Sequence, residues 1–380
     1  MELDYSEDQL AIQQSLQRWL GKNYSFEQRR AVMKSDSGFS AGAWATYAEM
    51  GLLALPLPEA HGGLGGNSVD VGLVMETLGA SLALEPYLAT VVLGAGLIAA
   101  AGSAAQRQAL LPAVAEGSLK LAWAHHEPAM RYSRLRFAAH AQRDGEGWKL
   151  DGHKGVVLGA PQADKFIVTA RTSGDVDDAQ GLSLFVVDRS AQGVALRSYT
   201  SHDGQRAAEV HLSGVRVDAQ ALLGEAGAAS PTVERVLDHA AAALCAEAVG
   251  IMSTMNALTL DYLKTRKQFG VTIGSFQALQ HRMADMTVAA EQARSMATLA
   301  AVKADSPDAA ERSRICSAAK AYVGQQARFV GQQCIQMHGG MGLTDEMLIS
   351  HHFRRLTLIE TAFGDTDHHF ERFSQSLLAA

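Results

Sequence analysis

The last part of the chain, from about residue 230 to residue 380, is almost free of helix-breaking residues. After Pro231 it contains a single proline, Pro307. Ser306-Pro307 suits a helix start, with serine as N-cap and proline at the first helical position. The apolar pattern predicts long helices, and helices of this length pack as a four-helix bundle. The predicted helices cover about 232–268, 275–303, 307–338 and 345–378.

Two zones of different character precede this bundle. The first has a helical pattern and opens with Ser6 and Gln9, which resemble a capping box. The second contains short runs of β-branched and aromatic residues at 165–171, 182–188 and 209–212, separated by Gly, Asp and Ser. The sequence therefore predicts an α+β protein with three domains. These are an N-terminal α-helical domain (1–120), a middle β domain of the barrel or sandwich type (121–228), and the C-terminal bundle (229–380).

Composition excludes several classes of function. The 380 residues are 47% hydrophobic and carry 40 acidic against 33 basic side chains, which gives no electrostatic basis for binding nucleic acid. No leader sequence is visible, and the apolar stretch 82–102 contains Glu85 and Pro86 near its start. What remains is too short to cross a bilayer, which needs about 20 residues, so we expect a buried helix and no membrane insertion.

The cysteines and histidines point to ordinary packing. Cys245, Cys316 and Cys334 are too far apart for a CxxC motif and suit buried, reduced thiols. We therefore expect a cytoplasmic protein. The adjacent pairs at 351–352 and 368–369 are the histidines that first suggest a metal, but neighbouring residues point to different helix faces, so we expect no metal site.

Two short motifs carry the chemistry. In Arg266-x-x-Phe269-Gly270 an arginine at a helix end can bind a pyrophosphate, and Phe269 offers a flat surface to an aromatic ring. The simpler interpretation of that arginine is a favourable interaction with the helix dipole. In Gln336-x-x-Gly339-Gly340 the glycines permit close approach of a ligand, and Gln336 can pair with a nucleobase or phosphate. The simpler interpretation here is a turn between helices.

These motifs occur with others that together resemble the acyl-CoA dehydrogenase family over nearly the whole chain. The matching stretches are Gly51-Leu-Leu through Pro58-Glu59 to Gly62-Gly63, Glu127-Pro128, Leu150-Asp-Gly-His-Lys154, Val215-Arg-Val217 through Leu222-Leu-Gly224, Phe276-Gln-Ala-Leu-Gln280 and Met283-Ala-Asp-Met286.

The resemblance implies a tetramer that binds FAD and oxidises an acyl-CoA substrate, with an electron-transfer flavoprotein as acceptor. Each flavin would lie between the β domain and the bundle of one subunit, while its adenosine-diphosphate tail reaches a neighbour. The resemblance gives Arg266, Phe269, Gln336, Gly339 and Gly340 the role of cofactor contacts. Gln277 is a further candidate, although a glutamine on a helix surface is the simpler interpretation.

The chain departs from the family at its catalytic base. The family's usual base is a Glu near the start of the last helix, and that position falls on Phe363. Some branches place the base early on the long central helix, which corresponds to Ala240. Neither residue can accept a proton. Asp365 stands where a flavin-contacting Thr is usual, and Gly155-Val-Val-Leu158 replaces a Trp-x-Thr element beside the flavin ring.

This pattern of loss resembles the small subunits of heterotetrameric acyl-CoA dehydrogenases, a group that includes pimeloyl-CoA dehydrogenase. The ending Ala362-Phe-Gly-Asp-Thr-Asp-His-His369 is the closest part of that resemblance. It implies a chain that contacts the flavin tail in a larger homologous subunit, and the larger subunit would carry the base.

One residue supports a different interpretation. Glu247 is the only formally charged side chain between Asp238 and Asp261, and it lies on the same helical stripe as Leu244 and Ile251. A desolvated glutamate can serve as a base near neutrality. It can equally be a buried structural carboxylate paired with Arg or Lys. Three functions thus stay open: the partner subunit, a self-sufficient homotetramer that uses Glu247, and a structural subunit without flavin.

Overall fold

The N-terminal part of the chain is helical. The computed structural model describes residues 5–378. Ser6 and Gln9 form the predicted capping box, because the Ser6 side chain accepts from the Gln9 N–H and the Gln9 side chain accepts from the Ser6 N–H. The helices are α1 (Glu7–Asn23), α2 (Phe26–Lys34), α3 (Ala41–Glu49), α4 (Ser68–Ala80), a π-helical segment (Leu88–Ala95), α5 (Gly96–Ala101) and α6 (Ala104–Ala115).

The middle part forms one mixed sheet. Its strands are β1 (Leu121–Ala124), β2 (His140–Asp144), β3 (Gly147–Leu158), β4 (Lys165–Arg171), β5 (Leu182–Asp188), β6 (Val194–Thr200), β7 (Arg206–Val217) and β8 (Leu222–Leu223). Their order is β6-β7-β3-β2-β4-β5-β8, and β1 pairs in parallel with β4. The predicted strands at 165–171 and 182–188 are confirmed. Buried side chains such as Trp148, Phe166, Phe185 and Val210 form the core of this sheet.

The C-terminal part is helical again. It consists of α7 (Ser230–Thr265), a hairpin of β9 (Lys267–Gln268) and β10 (Val271–Thr272), α8 (Gln277–Ala304), α9 (Ala309–His338), α10 (Leu348–Thr361) and α11 (Thr366–Leu378). The first three predicted helices of this part are confirmed. The N-cap predicted at Ser306 is wrong, because the Asp308 side chain accepts from the N–H groups of Ala310 and Glu311 and starts α9 there.

The fourth predicted helix is also wrong, because it is divided into α10 and α11. Between them Phe363 has φ 57° and Gly364 has φ 122°, neither of which fits a right-handed helix. Phenylalanine rarely adopts this conformation. The local signal for the break is Gly364 followed by Asp365, whose side chain accepts from the His368 N–H at the start of α11. The resulting turn falls at the position where the family resemblance expects the catalytic base.

Contacts divide the chain into two compact units. The helical unit contains residues 1–30, 68–83 and 241–380, and the sheet-containing unit contains residues 31–67 and 84–240. Both units draw on separated stretches of chain, so the domain boundaries predicted near 120 and 228 stay predictions.

The most apolar helices are buried. α7 is long and apolar enough to cross a membrane by length and composition, but 72% of its apolar window is buried inside the protein. The apolar stretch at 82–102 forms the π-helical segment and α5, whose side chains are mostly buried, so the predicted buried helix is confirmed. All three cysteines are buried and free, as expected, and burial raises the pKa of Cys245 and Cys334 to about 12.

Candidate functional site

The Arg266–Gly270 motif forms an exposed cap on the end of α7. The Arg266 N–H donates to the Tyr262 carbonyl (2.8 Å), which completes the last helical turn, and the chain then enters the β9–β10 hairpin. Phe269 lies at the hairpin tip with 91% of its surface exposed and a left-handed φ of 55°. The Arg266 guanidinium is exposed and has no hydrogen-bond or ion-pair partner among residues 5–378. Both side chains are therefore available to an external group.

The Gln336–Gly340 motif forms the corresponding end of α9. Gly339 ends the helix with φ 61° and its N–H donates to the Gln336 carbonyl, after which a short 3₁₀ turn begins. Gln336, Gly339 and Gly340 are exposed. A Cβ built on Gly339 or Gly340 meets no atom within 4 Å, so the space beside both glycines is open to a ligand.

A stacked pair of rings joins the two motifs. Tyr262 and His338 stack with their centroids 4.4 Å apart and an angle of 23° between the rings, and the Tyr262 hydroxyl donates to the His338 carbonyl (3.5 Å). Nδ1 of His338 donates to the Cys334 carbonyl (2.8 Å), and burial lowers the pKa of this imidazole. Sequence analysis did not identify this pair, although each ring lies within four residues of a motif. The stack therefore holds the C-terminal end of α7 beside the C-terminal end of α9.

The start of α8 lies at the same end of the helical unit. Gln277 is its first residue and is exposed, while Gln280 ties the helix to the hairpin region by donating to the Gly274 carbonyl (2.9 Å). Arg282 of α8 donates to the Gln333 side chain of α9 (2.9 Å). We call this region the exposed end. Its candidate cofactor contacts are Arg266, Phe269, Gln277, Gln336, Gly339 and Gly340.

Glu247 lies elsewhere in the same unit, in a buried ion pair. Arg355 of α10 donates from Nε to Oε1 (2.6 Å) and from Nη2 to Oε2 (2.7 Å), so both carboxylate oxygens are bonded. The two side chains are 8% and 7% exposed. The helices pass closely here, because a Cβ on Gly79 of α4 would lie 2.5 Å from the Glu247 carbonyl oxygen. This arrangement favours the interpretation of Glu247 as a buried structural carboxylate.

The two positions of the family's base carry no acid. Ala240 is fully buried in α7, and Phe363 is half-buried in the turn between α10 and α11. The carboxylates beside Phe363 hold the backbone of that turn. Glu360 accepts from the Thr366 N–H (3.0 Å), and Asp365 accepts from the His368 N–H (2.9 Å).

A buried lysine donates hydrogen bonds to the backbone of the turn between α10 and α11. Lys320 of α9 is 1% exposed, and its ammonium donates to the carbonyls of Glu360 and Gly364, both at 2.9 Å. Burial lowers the pKa of Lys320 to about 8. Sequence analysis missed this residue. The available signal was a lone cation on a helix face otherwise made of small and apolar residues.

The sheet-containing unit has a buried pair of its own. Lys154 of β3 donates to Glu127 Oε1 (2.6 Å), and the same carboxylate accepts from the N–H groups of Ala138 (2.7 Å) and Ala139 (3.1 Å). Burial lowers the pKa of Lys154 to about 8 despite this partner. Glu127 thus fixes the loop that follows β1. Val156, in the segment that replaces the Trp-x-Thr element, is 55% exposed with φ 49° at an irregularity of β3.

The chain matches the three family models of acyl-CoA dehydrogenases, namely the N-terminal domain over residues 6–118, the middle domain over 127–215 and the C-terminal domain over 230–378. It therefore belongs to the acyl-CoA dehydrogenase family. Members of this family are FAD-dependent oxidoreductases that act on CH–CH bonds of acyl-CoA.

Individual relatives agree with this assignment. The chain is 30% identical to the acyl-CoA dehydrogenase FadE12 of Mycobacterium tuberculosis over 347 residues, covering 90% of this chain and 88% of that protein. It is 31% identical to the probable acyl-CoA dehydrogenase YngJ of Bacillus subtilis over 324 residues, covering 84% and 85%.

Solved structures are similar as well. The ChsE4–ChsE5 complex of Mycobacterium tuberculosis has a TM-score of 0.90 at 25% identity, with complete coverage of both chains. A variant of the Tcur3481–Tcur3483 steroid ACAD has a TM-score of 0.88 at 29% identity and covers 98% of each chain. The predicted fold of N-terminal helices, middle sheet and C-terminal helices is confirmed.

Proposed function

We propose that this chain is the partner subunit of a heterotetrameric FAD-dependent acyl-CoA dehydrogenase. It contributes the exposed end to the adenosine-diphosphate part of a flavin whose ring lies in a larger homologous subunit, and that subunit supplies the base that removes the acyl α-proton. One observation carries the proposal. The candidate contacts for a dinucleotide are exposed and the Arg266 guanidinium has no partner among residues 5–378, whereas the family's base positions, Phe363 and Ala240, hold no proton acceptor.

The exposed end suits a dinucleotide tail chemically. The Arg266 guanidinium would form charge-assisted hydrogen bonds to the pyrophosphate, and its exposure means that little desolvation opposes the contact. Phe269 presents a ring face to the adenine, while Gln336 offers both a donor and an acceptor. Gly339 and Gly340 leave room for the backbone to approach phosphate oxygens. FAD, when bound, supplies the two-electron acceptor for the substrate β-hydride.

Two of the similar structures support a pairing of chains, since both the ChsE4–ChsE5 complex and the Tcur3481–Tcur3483 steroid ACAD carry paired names. We extend this pairing to the present chain, with a steroid or fatty acyl-CoA thioester as substrate. An electron-transferring flavoprotein of Acidaminococcus fermentans, with 25% identity and a TM-score of 0.89, is compatible with an electron-transfer flavoprotein as acceptor. A cytoplasmic location belongs to the same proposal.

A homotetramer that uses Glu247 as its base is the second candidate. Burial favours it, because only 8% of the Glu247 side chain is exposed to solvent. Both of its oxygens are bonded to Arg355, however. Proton abstraction by Glu247 would require at least one of these bonds to break, so the partner-subunit proposal demands less rearrangement. A structural subunit without flavin is the third candidate.

Co-expression separates these candidates. We expect the chain purified alone to contain little flavin, and the complex with a larger homologous subunit to be yellow and active on an acyl-CoA. In that complex Arg266→Ala should lower flavin retention about tenfold, because one charge-assisted contact is lost. Arg18→Ala removes an exposed helix arginine that lies outside the exposed end, and it should leave flavin retention unchanged.

Each alternative predicts a different result. A yellow, active enzyme made from this chain alone and inactivated by Glu247→Gln would establish the homotetramer. An active complex in which Arg266→Ala and Arg18→Ala retain flavin equally would favour the structural subunit.

A further inference from the structure

Three ligand-type side chains share one face of the sheet. His153 on β3 is directly opposite His211 on β7, and Glu209 precedes His211 by two residues on the same strand. Residues two apart on a strand point to the same side, so the carboxylate and both imidazoles project together. All three side chains are partly exposed, at 38%, 46% and 26% for His153, His211 and Glu209.

The donor atoms of these side chains converge. The imidazole rings stack with centroids 4.1 Å apart and an interplanar angle of 11°. Oε2 of Glu209 lies 3.6 Å from Nε2 of His153 and 3.8 Å from Nε2 of His211. Possible ligand atoms from all three residues lie within 4.8 Å of one another. The cluster therefore brings two imidazoles and one carboxylate within reach of a single ion.

A neighbouring arginine determines which carboxylate oxygen of Glu209 faces the imidazoles. Arg197 of β6 pairs across the strands with Glu209, and its Nη2 donates to Oε1 (2.9 Å). That bond leaves Oε2 as the oxygen that faces the imidazoles. A hydrogen bond to the second atom of a ligand group is the usual way in which proteins orient metal ligands.

One imidazole nitrogen of the cluster lacks a hydrogen-bond partner among the described residues. Nε2 of His153 is shielded from solvent, yet it has no hydrogen-bond partner among residues 5–378. A polar atom left in this state costs free energy, and a bound cation would supply the missing contact.

We propose that His153, His211 and Glu209 bind a divalent transition-metal ion of the zinc class. Two neutral imidazoles and one carboxylate are a ligand set that such ions accept, with water in the fourth position. Ligand bonds of about 2.0–2.1 Å in a tetrahedral site place donor atoms about 3.3–3.5 Å apart. The observed separations of 3.6 and 3.8 Å are close to this. Because the in-plane lone pairs of two stacked imidazoles do not meet, one ring rotates out of the stack when the ion binds. Mg²⁺ and Ca²⁺ prefer oxygen ligands and fit the cluster poorly.

The site would act on the stability of β3. The pairing of β3 with β7 shifts register between Lys154 and Val157, immediately after His153. A metal ion that links His153 to His211 would fasten the two strands at the start of this irregular segment. The ion would therefore stabilise the conformation in which Val156 is exposed. This consequence does not depend on flavin or on the partner subunit.

Titration of the metal-depleted full chain, prepared without a histidine tag, tests the proposal. We expect one equivalent of Zn²⁺ to bind and to raise the thermal midpoint, and Co²⁺ to give the absorption of a tetrahedral site. His153→Gln and His211→Gln should each weaken Zn²⁺ binding at least about tenfold, as should Glu209→Gln. His140→Gln removes an exposed histidine from β2 of the same sheet, so it is the matched control and should bind Zn²⁺ normally.

Several results would overturn the proposal. One is the absence of saturable Zn²⁺ binding to the wild-type chain. Another is binding that survives both His153→Gln and His211→Gln, or that falls equally in His140→Gln. Circular dichroism of each variant confirms that the sheet is folded, so a loss of binding reports the site itself.

Discussion

The exposed end of the helical unit and its buried centre each contain an arginine close to a predicted functional residue, and the two arginines are used differently. Arg266 is exposed and has no partner among residues 5–378, whereas Arg355 is buried and donates two hydrogen bonds to Glu247. An exposed, unpaired cation can bind an external anion with little desolvation. A buried cation that donates two hydrogen bonds to a carboxylate stabilises the fold and is not available to a ligand. The difference supports the proposal that the exposed end of this chain binds a group from outside.

The largest expected effect comes from breaking the buried pair. Glu247→Gln should lower the free energy of unfolding by about 3–5 kcal/mol, because Arg355 would keep its charge in a buried place without a compensating carboxylate. Urea denaturation of the chain measures this change. Glu291→Gln, at an exposed position of α8, is the control and should change stability by less than about 0.5 kcal/mol.

The double variant Glu247→Leu/Arg355→Met should regain most of the lost stability, since buried ion pairs are often replaced by apolar residues without loss. If Glu247→Gln leaves stability intact and abolishes activity, Glu247 is the catalytic base and the contrast between the two regions fails.

The second largest effect on stability is expected where α4 and α7 approach closely around Glu247. Gly79→Ala should destabilise the chain by about 1–3 kcal/mol, because its Cβ would lie 2.5 Å from the Glu247 carbonyl oxygen and 2.8 Å from Glu247 Cγ. Gly21→Ala on α1 is the matched change. A Cβ there meets nothing within 4 Å, so it should stabilise the helix by about 0.5–1 kcal/mol. Equal effects in the two variants would show that the packing around Glu247 is loose.

The third effect is a pH dependence that arises from Lys320. Burial lowers the pKa of its folded state to about 8, against about 10.4 in an unfolded chain, so the folded state binds fewer protons between these values. Stability therefore rises with pH across this window. From pH 7 to pH 9 this lysine should add about 1 kcal/mol.

The variant Lys320→Met isolates this contribution. Lys154 carries a similar shift, but it is present in both proteins and cancels in their difference. We expect the unfolding free energy of the wild-type chain to rise by about 1 kcal/mol more than that of Lys320→Met between pH 7 and 9. Parallel pH profiles would mean that Lys320 reaches water.

The two regions also differ in what the sequence can predict. The exposed motifs consist of residues close together in the chain, so the chemistry proposed for them follows from local patterns, namely Arg266-x-x-Phe269 and the glycines after Gln336. The apolar stripe around Glu247 correctly indicates burial. Its partner does not follow from local pattern, because Arg355 lies 108 residues away and is selected by helix packing.

The division of the last predicted helix into α10 and α11 also shows that local sequence patterns do not specify contacts between distant residues. A phenylalanine with positive φ is locally unfavourable, so the conformation of Phe363 does not follow from its own propensity, although Gly364 and Asp365 after it are residues typical of a helix boundary. The turn is held by Lys320, which reaches two of its carbonyls from another helix. The cluster of His153, Glu209 and His211 also depends on the register between β3 and β7, which no local pattern in the sequence specifies.

The smallest effect on stability is expected at the exposed end. Phe269→Gly tests whether this end, unlike the buried pair of Glu247 and Arg355, serves binding and not stability. Phe269 has φ 55° and is 91% exposed, so its side chain contributes little packing while its backbone is strained. Glycine accepts this conformation freely. The variant should therefore unfold at the same free energy as the wild-type chain or be more stable by up to about 1 kcal/mol.

Flavin retention should respond in the opposite direction. In the complex with the larger subunit, Phe269→Gly should retain less flavin, because the ring that we propose to stack on the adenine is gone. Phe370→Ala removes another exposed ring, on α11, and should leave flavin retention unchanged. Strained backbone conformations are concentrated at binding sites, so a contact of Phe269 with the cofactor would account for its strain. If Phe269→Gly retains flavin as well as Phe370→Ala does, the hairpin tip does not contact the cofactor, and the exposed end loses the feature that separates it from the buried centre.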